Sequence, residues 1–210
     1  MGIKNKQKSL LHKLDKKIIV VGNGASLRNK QLGKKIDEFE EVVRFNDYQL
    51  FGFEENVGTK TTIWARNNSD NVTERILSQF KMVIYYMPLW AYDNQDINIF
   101  KKKNIYIMPK EDLRDLQRQL LLVKRSLKTS GGGLSSQKGW PSTGLAAISI
   151  LLSYVKSITI CGFDFFQTDD RQSEHYYDDK HGFIKTKCHK GEYEKEWILK
   201  KQKTGQIKIL

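Results

Sequence analysis

Cysteine, proline and histidine are scarce in this chain, with two, three and four residues in 210. Cys161 and Cys188 are too few for a disulfide framework, and no C-x-x-C or His/Cys cluster points to zinc. Cys161, in SITICGF, reads as a small buried strand residue, and a reducing compartment is expected. No run approaches the roughly 18 to 20 apolar residues of a membrane span. The stretch MGIKNKQKSLLHKLDKK lacks the apolar segment of a secretory signal. Also missing are a D-x-D for a nucleotide-bound divalent ion and the lysine followed by Ser or Thr of a P-loop. G-x-G-x-x-G fails as well, because position 27 is leucine. No internal repeat is visible.

What is present suits one ordinary domain over residues 1–210, opening with a basic segment at 1–16. A hydrophobic fraction of 39% with 11% aromatics argues against disorder. Lysine and arginine outnumber the acidic residues by 36 to 24, a net charge of +12. Such a surplus implies an anionic partner: a nucleotide, an acidic glycan, an anionic membrane face or nucleic acid. Scattered lysines serve plain solubility equally well.

Strands and helices alternate along the chain. KKIIVVG, EVVRFND, TTIWARNN, KMVIYYMP, NIYIMP and SITICGFDFF read as strands. NGASLRNKQLGKKIDEF reads as a loop and a helix with Ser26 as N-cap and Leu27, Leu32 and Ile36 turned inward. NVTERILSQF, EDLRDLQRQLLLVKRSL, WPSTGLAAISILLSYV and GEYEKEWILKKQKTG are the remaining helical patterns. The Gly/Ser-rich piece at 129–139 is short for a domain linker and suits a mobile lid or acceptor loop. The alternation predicts an α/β sheet with helices on both faces, whose ligands gather beyond the carboxyl ends of the strands.

Four segments fall at such ends. VVGNGASL runs a strand through Gly22 and Gly24 into a helix start, where backbone N–H groups suit an anion and Asn23 offers an amide; a plain tight turn explains it too. Asn46, in RFND, can grip a ribose or phosphate, or form an Asx-turn. In WPSTG, Ser142 or Thr143 caps a helix whose first N–H groups face outward, beside Gly144. HYYDD and HGFIKTKCHKGEYE hold His175, His181 and His189; their spacing matches no common zinc pattern, and acid–base chemistry is the better use. Tyr176 and Tyr177 divide evenly between site and packing roles. Trp140 does the same, while His181, Asp178 and Asp179 read as solvated loop residues.

Taken together the segments resemble the sialyltransferases of glycosyltransferase family 29. SLRNKQLGKKIDEFEEVVRFN…NVGTKTTI is similar to the large sialyl motif and WPSTGLAAISILLSYVKSITICGFDFF to the small one. HYYDD resembles the third motif and HKGEYEK the very small motif, a histidine with a glutamate five residues on. The motifs come in the family's order over about half the chain.

The resemblance implies a Rossmann-like, modified GT-A fold. It also implies inverting, metal-independent transfer of sialic acid from CMP-sialic acid to a sugar hydroxyl of a glycan. By position, Asn23 and Asn46 would contact CMP, with Ser142, Thr143 and Gly144 at its ribose and neighbouring groups. His175, helped by Tyr176 or Tyr177, would meet the departing phosphate, and His189 would be the general base. The dipole of the helix behind His189 disfavours imidazolium and keeps the ring able to accept a proton. Glu194 lies one turn inside that helix, facing either the imidazole or the local backbone.

The chain departs from the family pattern in two respects. Animal members carry an N-terminal anchor and a disulfide between the large and small motifs. Here Ile18 and Val155 stand at the cysteine positions, and no anchor is seen, so a soluble bacterial or viral type working in a cytoplasm is expected. Peripheral contact with an anionic membrane fits the charge. The donor sugar could be Kdo instead of sialic acid. From other classes, a catalytically inactive CMP-binding module would lack the two histidines. A nucleic-acid-binding protein would interleave its basic residues with stacking aromatics, which here lie in strands and around the histidines.

Overall fold

The computed structural model describes residues 11, 14, 17–67, 75–86, 104–129, 140–165, 175–177 and 191–210. Seven strands form one sheet: β1 (Ile18–Val21), β2 (Glu41–Phe45), β3 (Ile63–Asn67), β4 (Met82–Tyr86), β5 (Ile105–Ile107), β6 (Ile158–Cys161) and β7 (Ile207–Ile209). Their order is β5-β4-β3-β2-β1-β6-β7, and every pairing is parallel. The chain lays β1 to β5 outward in one direction and then returns to place β6 on the other side of β1. The strand order therefore reverses between β1 and β6, the place beyond the carboxyl ends where sheets of this kind form their ligand crevice.

Successive side chains of a strand point to opposite faces, and both faces here are covered. One face (Val20, Val43, Ile63, Ile84 and Ile160) packs against α3 (Lys110–Thr129), α4 (Thr143–Leu152) and α5 (Gly191–Lys203). The other carries Ile19, Val21 and Val42 under α1 (Gly33–Asp37) and α2 (Glu54–Val57), with Trp64, Val83 and Tyr85 in a separate cluster. Of the basic segment at 1–16, Leu11 and Leu14 are described and both are buried in the α3–α5 layer. Arg44, buried within β2, donates to the carbonyls of Val57 and Lys60 and to Thr61 Oγ1, fixing the connection from β2 to β3. No helix among the described residues is long and apolar enough to cross a membrane.

Three expectations need correction. The helix after β1 is not continuous: a 3-10 turn at Ala25–Leu27 is followed separately by α1. A Cβ on Gly33 would lie 2.1 Å from Glu54 O, so α1 starts where its backbone can press against α2. Ser26 caps nothing; Gly24 takes the cap position and Ser26 bonds Asp164 instead. The described part of NVTERILSQF is only a 3-10 turn, Leu77–Gln79, because Asn104 Nδ2 takes the carbonyls of Leu77 and Phe80 and steers the chain into β4. β7 and α2 were not expected from the sequence. Residues 130–139, the rest of the expected lid, lie outside the described residues.

Very close packing also joins the exits of β1 and β6. A Cβ on Gly22 would lie 2.1 Å from the carbonyl oxygen of Gly162, which is backbone and cannot swing aside. Gly22→Ala is expected to cost about 1–3 kcal/mol, the usual range for overpacking, read as a lower urea midpoint with an unchanged slope. An unchanged midpoint would mean that the two turns are not in contact.

Candidate functional site

The exits of β1 and β6 close on each other through their backbones. Gly22 N donates to Cys161 O at 2.8 Å and Gly24 N to Gly162 O at 2.9 Å. A Cβ on Gly24 would come 2.6 Å from the Asp164 carboxylate, so both glycines make room for β6's turn rather than for open space. Asp164 accepts from Ser26 N at 2.9 Å and from Ser26 Oγ, tying the 3-10 turn to β6. The Cys161 thiol is buried and pushed up to about 12 by desolvation, so it stays protonated at neutral pH.

The third-motif segment lies along this turn. His175 pairs with Gly24 in an antiparallel bridge, and Tyr176 N donates to Asn23 O at 2.9 Å. Arg28 fastens the segment from outside, donating to His175 O at 2.9 Å and Tyr176 O at 3.3 Å. The His175 ring stacks on Tyr177 with centroids 5.0 Å apart. Tyr177 Oη receives Asn23 Nδ2 at 3.3 Å, while the same amide reaches Phe45 O at 3.4 Å. Asn23 Oδ1 is buried and has no hydrogen-bond partner among the described residues. Tyr176 is in the core: its hydroxyl donates to Gln49 O and accepts from Gln49 N, and burial pushes it up to about 12. That is the packing alternative for Tyr176.

Asn46 leaves β2 in the left-handed region, φ 42°, a conformation that asparagine tolerates better than most residues. Its N donates to Ala65 O, its O accepts from Trp64 Nε1, and its Oδ1 accepts from Asn67 N at 3.1 Å. The amide is therefore fixed by β3, and its Nδ2 has no partner among the described residues.

The small-motif turn is held on three sides. Tyr86 Oη donates to Pro141 O at 2.9 Å. Ser142 caps α4, its Oγ accepting from Leu145 N at 3.2 Å. Ser142 N–H and Oγ–H both donate to the Glu194 carboxylate of α5, at 2.8 and 2.6 Å. So Glu194 holds the turn that opens α4. Gly144 lets α4 settle on the ring of Phe163, which a Cβ would meet at 3.0 Å. The Thr143 and Gly144 N–H groups, first in a ten-residue helix, take no acceptor among the described residues. Unsatisfied N–H groups at a helix start are the chemistry that suits an anion.

The structure thus brings Asn23, His175 and Tyr176 together at the exit of β1, and it sets Ser142, Thr143 and Gly144 at the N-terminus of α4. Asn46 stands at the adjoining exit of β2. His189, His181, Asp178 and Asp179 lie outside the described residues. Ile18 and Val155, which the resemblance puts at the family's cysteine positions, belong to one apolar cluster, Val155 packed against it as a partly buried residue. Sequence reading missed Asp164, Phe163 and Arg28. Asp164 and Phe163 follow a strand-ending glycine at a carboxyl end, a signal that could have found them; Arg28 carries none.

Comparison with known proteins gives the family and the fold. The sequence model for Glycosyltransferase family 29 (sialyltransferase) matches residues 4–206. Human beta-galactoside alpha-2,6-sialyltransferase 1 is 28% identical over 189 residues, covering 83% of this chain and 45% of that protein. Type 2 lactosamine alpha-2,3-sialyltransferase of Pan troglodytes is 28% identical over 183 residues, with 77% and 54% covered. The chain spans about half the length of these relatives. A solved mammalian sialyltransferase in complex with Gal-beta-1-3GalNAc-ortho-nitrophenol superposes with a TM-score of 0.62 at 19% identity, over 100% of this chain and 79% of that one. The superposition speaks for the shared fold.

Glu194 is 5% exposed, and desolvation pushes its carboxyl up to about 7 against the two Ser142 hydrogen bonds, which pull it down. The folded group holds its proton where the unfolded chain, near 4.5, has lost it. Its contribution to stability is therefore full below pH 4.5, declines as pH rises, and levels off above about 7. Relative to Glu194→Gln, wild-type stability should fall by about 3 kcal/mol across that window, measured by urea unfolding at successive pH values. A pH-independent difference would contradict the burial.

Proposed function

The chain belongs to glycosyltransferase family 29, the sialyltransferases, and we propose that it moves sialic acid from CMP-sialic acid to a sugar hydroxyl of a glycan acceptor. What supports this reading is the start of α4, whose first N–H groups have no acceptor among the described residues, together with the amides of Asn23 and Asn46 at the strand ends, on a chain of that family. The Thr143 and Gly144 amides would take the nucleotide phosphate. The buried, unpartnered Asn23 Oδ1 and the free Nδ2 of Asn46 offer an acceptor and a donor to the nucleoside. CMP-sialic acid is favoured over CMP-Kdo because the matched relatives are named for sialyl transfer.

In the proposed reaction the acceptor hydroxyl attacks the anomeric carbon from the face opposite CMP, so the configuration inverts. One C–O bond forms as the bond from the anomeric carbon to the phosphate oxygen breaks. His189 takes the hydroxyl proton, as the position of the very small motif implies. CMP leaves as a phosphate monoester, so its growing charge needs stabilising more than protonating. The α4 amides and His175, held on Gly24 by the backbone, would supply that, and no metal is assigned a step. Peripheral contact with an anionic membrane is part of the same reading of the +12 charge.

His189→Ala should lower turnover of CMP-sialic acid with a lactoside acceptor by at least about 10²-fold, the low end for losing a general base, while CMP affinity stays within twofold (~0.4 kcal/mol). Wild-type turnover in this variant would remove His189 from the base role. Asn46→Ala should weaken CMP binding about tenfold, the scale of one hydrogen bond to a buried group, and unchanged calorimetric affinity would overturn the donor-site mapping.

A further inference from the structure

The donor reading gives Glu194 no task, yet its carboxylate sits directly behind the helix end that would hold the phosphate. Both Glu194 oxygens accept from Ser142, the N-cap of α4, and the next two amides are the open ones. One partial positive charge would then serve two anions, the carboxylate behind and the phosphate in front. In buried surroundings they repel with little screening. A proton on Glu194 relieves that repulsion without breaking the contact. Ser142 N–H still donates to Oε1, while a protonated Oε2 donates to Ser142 Oγ. That serine oxygen keeps Leu145 N as a second donor, and its own hydrogen, now spent on the carboxylate, is released.

We propose that Glu194 takes up a proton when the nucleotide phosphate binds, reversing the Glu194–Ser142 hydrogen bond and turning the serine hydrogen toward the donor. The inference rests on the donor-site reading above. Glu194 acts through Ser142 and is a positioning residue. Among the described residues its neighbours leave it able to titrate: α4 carries no charged side chain, Glu192 and Lys195 on α5 are exposed, and Tyr86 donates to Pro141 O. At the start of α3, Lys110 is half-buried and Glu111, Asp112, Arg114 and Asp115 are exposed; burial and Ser142 alone account for Glu194's displaced titration.

Glutamine copies the protonated state, since its Nε2 donates to Ser142 Oγ and its Oε1 accepts from Ser142 N–H. The experiment is calorimetric titration of CMP into wild type and Glu194→Gln, in buffers of different ionisation enthalpy, between pH 6 and 8. CMP's own phosphate titration is common to both proteins and cancels. At about pH 7.5 wild type should take up about half a proton more than the variant, for a rise of about one pK unit on binding. Glu194→Gln should bind CMP as wild type does at the acid end and up to about tenfold more tightly at the alkaline end. Equal uptake, or an affinity ratio that does not change with pH, would overturn the linkage. No CMP binding by wild type would instead overturn the donor reading beneath it. Should the variant not fold, infrared difference spectra of wild type with CMP decide alone. A gain in carboxylic-acid C=O absorption is expected and its absence contradicts the proposal; histidine protonation does not contribute there.

Discussion

The contact between the exits of β1 and β6 is the constraint on which the site depends. Two backbone hydrogen bonds, Gly22 to Cys161 and Gly24 to Gly162, hold the turns so close that neither glycine position has room for a side chain. The strand order reverses between these strands, the place where sheets of this kind form their ligand crevice. His175 and Tyr176 then dock on Gly24 and Asn23 through backbone groups, and Asp164 reaches across to Ser26. A histidine placed by the main chain keeps its position whatever its ring is doing, which suits a group that must meet changing charge.

The second anchoring point is polar and buried. Ser142 receives nothing from chance: its hydroxyl accepts from Leu145 and donates to Glu194, and its amide also donates to Glu194. This joins α5, which follows His189 in the chain, to the turn that opens α4. A buried carboxylate satisfied by two neutral donors is held firmly but titrates near neutrality. The very small motif therefore has two parts: a histidine read as the base, and a glutamate spent on the partner turn.

Much of this was legible in the sequence because buried parallel strands announce themselves as β-branched runs stopped by glycine or proline. Six of the seven strands, α3, α4 and α5 fall where periodicity puts them. β7 escaped because Ile-Lys-Ile buries only its first residue, whereas the equally short β5 is a continuous apolar run that proline soon stops. The helix after β1 was drawn too long although Leu27 and Ile36 are both buried as expected; burial periodicity cannot show that tertiary contact at Gly33 restarts the chain. Asn23, Asn46, His175 and the small-motif turn could be singled out because residues at strand ends can be read without knowing which strands pair. The reach of Glu194 to Ser142 joins positions 52 apart in sequence, and no local pattern encodes it.

The measurement that bears most directly on the account is calorimetric titration of the protein with CMP, UMP and AMP in the presence of EDTA. The account predicts that CMP binds and the other two bind much more weakly, with no divalent ion needed. Equal binding of all three, or binding of CMP only when a divalent ion is restored, would contradict a crevice that reads cytidine and holds its phosphate on the α4 amides.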